Sequence, residues 1–202
     1  MLGHIKEQLK GYQPKPLGQQ RSYAVLLPLV YSDGEWQVLY QVRSEFVSQP
    51  GEVSFPGGQL EVGECFSQAA IREVVEELGV KEEQIYLWGE IDYLVFSDVM
   101  IRCFVGELQI ENWQDLVTSQ EVARLFTVPL STLVETSPTY YTLESCLRPE
   151  NDFPFERLRG GREYPFSHHK RPIPFYETVS ENIWGMTAQF THRFIQILKE
   201  EQ

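Results

Sequence analysis

Residues 23–31 form an unbroken apolar run and residues 36–43 a mostly apolar one interrupted by Gln37 and Gln41, with the Ser32-Asp33-Gly34 stretch between them. Short apolar runs bounded by turn residues predict strands, and an Asp-Gly step between them predicts a tight hairpin turn. Residues 85–96 and 99–108 predict two further strands, with Ser97-Asp98 between them. Near 122–128 the pattern fits a strand or a loop, and Pro129 to Glu135 starts a short helix. Elsewhere the apolar residues are spaced. Ile71, Val74, Val75 and Leu78 recur at helical spacing, and Gly79 follows as a C-cap. From Ile183 onward, Ile183, Thr187, Phe190, Phe194, Ile197 and Leu198 mark a C-terminal helix that packs on the body. The mixture predicts an α/β fold in which helices cover a mixed sheet.

Charge then singles out the helix that ends at Gly79. At about 100° per residue, Arg72, Glu73, Glu76 and Glu77 fall opposite the stripe of Ile71, Val74, Val75 and Leu78. Glu73 lies three residues before Glu76 and four before Glu77, so like charges share one patch and repel. Arg72 reaches Glu76 at four-residue spacing, yet one cation does not neutralise three carboxylates and the Glu64 that precedes them. A divalent ion with oxygen ligands does so better, and Mg²⁺ favours a few carboxylates together with phosphate oxygens. A run of charge on a helix is ordinarily a solvated face. Here Phe55-Pro56-Gly57-Gly58 puts two glycines directly before the segment, which lets backbone approach a phosphate chain.

The order Gly58, five residues, Glu64, seven residues, Arg72-Glu73-Val74, one residue, Glu76-Glu77, one residue, Gly79-Val80 resembles the Nudix box over residues 58–80. The resemblance implies a Nudix-type α/β/α sandwich with a mixed β-sheet, and a hydrolase of nucleoside diphosphates linked to another moiety. It also implies Mg²⁺ or Mn²⁺ held by Glu73, Glu76 and Glu77, with Arg72 orienting these ligands. Upstream, the segments 38–44 and 51–58 are similar to the signature of the coenzyme A pyrophosphatase branch, as are 121–130 and 183–188. That likeness implies substrate contacts from Arg43, Ser44, Gly57 and Gly58, and products 3′,5′-ADP and 4′-phosphopantetheine. The spacer from Ser44 to Gly51 is one residue shorter than the branch pattern. Its second arginine has no counterpart, since Ser48 and Gln49 stand where it would fall. ADP-ribose, NADH or a nucleoside triphosphate remain alternative substrates, and a nucleotide sensor without catalysis is an alternative class. The general base is a box glutamate or a carboxylate from a distant loop, with Asp98, Glu107 and Glu121 as the outside candidates. Arg43 suits a phosphate clamp, or else a surface ion pair at a strand end. Arg159, Arg162, Lys170 and Arg171 are later cations that could supplement it.

Composition bounds the rest. The 202 residues, 42% of them hydrophobic, suffice for one domain spanning 1–202. A net charge of -12 argues against a nucleic-acid partner and leaves a small-molecule nucleotide to be attracted by metal and local cations. No run of about 18 apolar residues suggests a membrane span, and the first residues lack the apolar core of a signal peptide, so a cytoplasmic protein is expected. Cys65, Cys103 and Cys146 suggest neither a disulfide framework nor zinc. The adjacent His168 and His169 sit in a Pro-rich, polar stretch, where neighbouring residues rarely face one ion together. Residues 135–180 read three ways. Tyr140, Tyr141, Phe153, Phe155, Tyr164, Phe166 and Phe175 would form an apolar wall for a pantetheine arm, cap the core, or make the contact of a homodimer.

Overall fold

The computed structural model describes residues 2–13, 17–18, 20–96, 98–146, 152–166 and 168–200. Ser97 and the side chains of Cys146, His168 and His169 lie outside the described residues. After an N-terminal helix α1 (Leu2–Lys10) the chain enters a hairpin of β1 (Arg21–Ser32) and β2 (Glu35–Arg43). Asp33 and Gly34 both take positive φ, 55° and 85°, which is the type I′ geometry that matches strand twist. Two short strands follow, β3 (Val53–Ser54) and β4 (Gly57–Gln59), before α2 (Phe66–Leu78). Then come β5 (Ile85–Phe96), β6 (Val99–Leu108), β7 (Val122–Pro129) and the short α3 (Leu130–Glu135). Three more strands, β8 (Thr139–Cys146), β9 (His168–Tyr176) and β10 (Ile183–Trp184), precede α4 (Gly185–Lys199).

The main sheet runs β3-β2-β1-β6-β5, with β4 added to β1 and β7 added to β2. Its β1–β6 pair is parallel, whereas the β1–β2, β5–β6 and β2–β7 pairs are antiparallel, so the sheet is mixed. Alternation along β1 feeds two cores. Ala24, Leu26 and Val30 meet Ala69, Ala70, Val74 and Leu78 of α2 on one face. Leu27 and Leu29 join Ala188, Phe190, Phe194 and Ile195 of α4 on the other. A sheet with a helix packed on each face is the expected α/β/α sandwich. The β8, β9 and β10 strands form a separate three-stranded sheet.

The C-terminal helix starts later than its apolar spacing predicts. Ile183 pairs with Tyr176 as a strand residue, and Gly185 at φ 62° marks the turn into the helix. The buried stripe of α4 also differs from the expected one, since Ile195 is buried whereas Leu198 is half exposed. Each strand of the small sheet is shorter than β1.

Candidate active site

The α2 helix ends where its sequence predicts. Gly79 adopts φ 67°, its N–H bonds Val75 O at 3.1 Å, and a Cβ there would collide with the Val117 carbonyl. At the other end Cys65 N donates to Gln68 Oε1 at 3.0 Å. Glu73, Glu76 and Glu77 therefore occupy the last turns, where the negative end of the helix dipole adds to their mutual repulsion.

The wheel places Glu77 opposite the apolar stripe, and the structure corrects this. The buried residues of α2 are Ala69, Ala70, Val74, Glu77 and Leu78. Glu77 is only 4% exposed and points into the sheet. Its Oε2 accepts from Gln41 Nε2 at 2.9 Å and from Gly57 N at 3.2 Å. Burial pushes the Glu77 carboxyl up to about 7, and the Glu73 and Glu121 charges add to that rise. Burial also raises Glu73, with Glu76 and Glu121 contributing and Arg72 opposing. Gly58 makes the burial of Glu73 sterically feasible, and Gly57 lets its strand close on β1. A Cβ on Gly58 would overlap the Glu73 carboxylate, and one on Gly57 would overlap the β1 backbone at Ala24 and Val25.

Arg72 is the hub of the acidic cluster. Its Nε donates to Glu64 Oε1 at 2.9 Å and its Nη2 to Glu64 Oε2 at 3.1 Å, a bidentate pair. Nη1 reaches Glu73 Oε1 at 2.7 Å and Glu76 Oε2 at 3.1 Å, and Nη2 also bonds the Gln59 carbonyl at 3.1 Å. The bonds to Glu64 and Glu73 hold the guanidinium well above its ordinary value, and Arg72 holds Glu64 below its own. Glu64 thus claims most of the cation, and the other carboxylates remain short of positive charge.

Glu73, Glu76 and Glu77 face a cleft of about 530 Å³, lined also by Tyr23, Arg43, Ser48, Gln49, Gly57, Gly58, Val99, Ile101, Glu121 and Met186. Six of the eight expected site residues meet there. Arg72 stands behind the carboxylates, and Ser44 is turned away. The Ser44 hydroxyl donates to Gln120 O at 2.6 Å, while its N–H donates to Glu121 O at 2.8 Å. Ser44 therefore fixes the loop that presents Glu121. Ser119 N, bonded to Glu77 O at 2.9 Å, ties the same loop to α2. Of the outside carboxylates, Glu121 lines the cleft. Asp98 pairs with Arg21 at 3.0 Å, and Glu107 sits on β6 beside Tyr86 and Leu29. Arg43 is held by Ser48, whose carbonyl accepts from Nε at 2.7 Å and whose hydroxyl accepts from Nη2 at 3.3 Å.

None of the seven aromatics singled out between 135 and 180 lines this cleft. Phe175 stacks on Trp184 at 5.3 Å, and Phe153 packs on Phe155 and Phe166. Among the later cations, Arg162 lies over Phe155 and Arg171 over Phe96, both away from the carboxylates. Sequence reasoning missed Gln41, Tyr23, Val99, Ile101 and Met186. A signal existed for Gln41, a polar residue buried within the apolar run of β2 on the face shared with Leu39.

Hard carboxylate oxygens and an unbalanced negative charge suit a dication. Among the described residues no three acidic, His or Cys side chains form a ready cage as they stand. Arg72 draws one oxygen of Glu73 and one of Glu76 toward itself, while Gln41 and Gly57 hold Glu77. The Glu76 side chain is mostly exposed, and Arg72 holds it through one oxygen.

A two-faced sandwich with helix-borne carboxylates set against a glycine strand defines a phosphate-anhydride hydrolase. The NUDIX domain model matches residues 20–143, and the chain belongs to the Nudix family as a hydrolase, a family that works with divalent metal ions. It is 29% identical over 191 residues to Nudix hydrolase 3 of Caenorhabditis elegans, covering 88% of this chain and 73% of that protein. It is 29% identical over 197 residues to the mitochondrial coenzyme A diphosphatase NUDT8 of Homo sapiens, covering 94% and 75%. A third relative, the peroxisomal coenzyme A diphosphatase NUDT7 of Mus musculus, is 31% identical over 134 residues, covering 65% and 56%. A crystal structure of a MutT/nudix family protein from Enterococcus faecalis shares the fold, with TM-score 0.54, 13% identity, and 99% of this chain and 70% of that chain covered. No helix among the described residues is long and apolar enough to cross a membrane.

Proposed function

We propose that this chain hydrolyses the diphosphate bond of coenzyme A or its derivatives to 3′,5′-ADP and 4′-phosphopantetheine, using Mg²⁺ or Mn²⁺ at Glu73, Glu76 and Glu77. The observation that carries this reading is the meeting of Arg43 with the carboxylates of α2 in one cleft. The relatives named as coenzyme A diphosphatases support the choice of substrate. The chain acts as one unit from 1 to 202, since Ile183 and α4 enter the same core as β1 and β2.

A bound dication would polarise a phosphoryl oxygen and acidify a coordinated water. The protein's own residues do the rest. Arg72 fixes the rotamers of Glu73 and Glu76, and Gly57 N–H anchors Glu77. Gly57 and Gly58 let the diphosphate approach the strand backbone. Ser48 presents the Arg43 guanidinium to a phosphate of the substrate. We assign the general base to Glu121, whose carboxylate lines the cleft and whose charge reaches Glu73 and Glu77. Glu121→Gln is expected to lower kcat about 10²-fold or more with Mn²⁺ affinity within a few-fold, and parallel losses of both would reassign Glu121 to metal binding.

The substrate is tested by incubating coenzyme A, dephospho-coenzyme A, ADP-ribose and NADH with Mg²⁺ or Mn²⁺ and identifying products by mass spectrometry. Coenzyme A yielding 3′,5′-ADP and 4′-phosphopantetheine is the expected result. Turnover of ADP-ribose or NADH alone would move the assignment to that substrate, and binding without any turnover would make the chain a sensor.

A further inference from the structure

We infer that the pantetheine arm of the substrate, with any acyl group on its sulfur, lies along an apolar row that crosses β1, β6 and β5 from the catalytic cleft to the sheet edge. The inference rests on the coenzyme A reading. Strand register sets Tyr23 beside Ile101, Ile101 beside Leu94, and Val99 beside Phe96. Directly paired residues share a sheet face, and Ile101 and Leu94 pack against the core on the α4 side. With strands about 4.8 Å apart, the row from Tyr23 to Leu94 spans roughly 10 Å. Its inner members, Tyr23, Val99 and Ile101, line the cleft that also holds Glu73, Glu76 and Glu77. Met186, on α4, flanks them.

The row is not closed over by the core. Tyr23, Leu94, Val99 and Ile101 are half-buried, and Phe96 is 55% exposed at the edge strand, with the Arg171 guanidinium 4.3 Å from its ring centroid. The charged end of the cleft takes a diphosphate, so its apolar continuation suits an uncharged, methyl- and methylene-rich arm on the same molecule. ADP-ribose and NADH would set a hydroxyl-rich ribose there instead. The occupant is therefore the arm, and a fatty-acyl thioester would extend it onto Leu94 and Phe96.

The test measures KM for octanoyl-coenzyme A and the inhibition constant of ADP, which carries the diphosphate without the arm, in the full chain and in Phe96→Asp and Ile101→Asn. Both constants are independent of the folded fraction. The expected result is a rise of tenfold or more in KM with the ADP constant within twofold. Unchanged KM overturns the inference, as does a parallel rise in both constants, which would mean damage to the whole cleft. Light scattering of the same samples covers the other occupant. A change in oligomeric mass at unchanged KM would make the row an interface between copies. A parent chain that cleaves ADP-ribose but neither coenzyme A nor its thioester removes the substrate reading and the inference together, whereas cleavage with unaltered constants removes only the inference.

Discussion

Glu77 carries the largest conflict between stability and chemistry. Its carboxylate is buried under α2, and folding raises its value from 4.5 to about 7. The protonated form is the one the fold favours. The associated stability is complete below pH 4.5 and is lost as pH rises through about 7. Glu77→Gln keeps an oxygen for Gln41 Nε2 and Gly57 N while removing the charge. In EDTA, thermal melts should show the parent falling relative to Glu77→Gln across that pH window, and the variant should lose turnover by about 10²-fold or more. A parent that gains on the variant as pH rises would contradict this. The residue types at the site were legible in the sequence, but the orientation of Glu77 was not. A wheel treats a helix alone and sets Glu77 on the charged side, although it is the charged residue nearest in angle to Val74. Only its partners on neighbouring strands, Gln41 Nε2 and the Gly57 N–H, show that the acid turns inward.

At the scale of elements, two glycines around α2 have separable duties. Gly58 leaves room for the flexible end of Glu73, so Gly58→Ala should keep its melting temperature within a few degrees and lose most activity as that carboxylate is displaced. Gly79 combines φ 67° with the close approach of the Val117 backbone. Gly79→Ala is expected to cost at least about 1–2 kcal/mol from the left-handed backbone alone, a fall of roughly 2–8 °C for a chain of this size, to which the clash with Val117 adds. Calorimetric melts and rates on both proteins check the pair, and equal thermal losses would contradict the distinction. Long elements were readable from local pattern, and β5 and β6 span the residues that read as strands in the sequence. Elements that depend on distant partners were not. Ile183 fits a helical repeat, yet its pairing with Tyr176 and the positive φ of Gly185 make it a strand end. The sheet of β8, β9 and β10 hid within a Pro- and Tyr-rich stretch for the same reason, since its strands gain definition only by pairing with one another.

For the molecule as a whole, a net charge of -12 surrounds a cleft meant for an anion. Arg43 is the cation in the lining, and four glutamates stand with it. Local positive charge must overcome a repulsive field that salt screens over about 8–10 Å. At saturating metal, KM for coenzyme A should therefore fall as ionic strength rises from about 0.02 to 0.2 M, opposite to a basic enzyme that steers its anionic substrate. A KM that climbs with salt would show that local cations dominate the approach. That helices cover a mixed sheet was visible from the strand runs and the helical period, and the α/β/α layering from the likeness to the Nudix box. The path from the carboxylates to the sheet edge was not visible, because it is assembled from side-by-side residues on three strands.

The proposed hydrolysis depends most on the carboxylates of α2 drawing in a dication, and Mn²⁺ titration by calorimetry on the parent and on Glu77→Gln tests that directly. The predicted result is saturable Mn²⁺ uptake by the parent, strengthened by ADP and lost or greatly weakened in the variant. Equal uptake by both proteins, or none by the parent with ADP present, would contradict it.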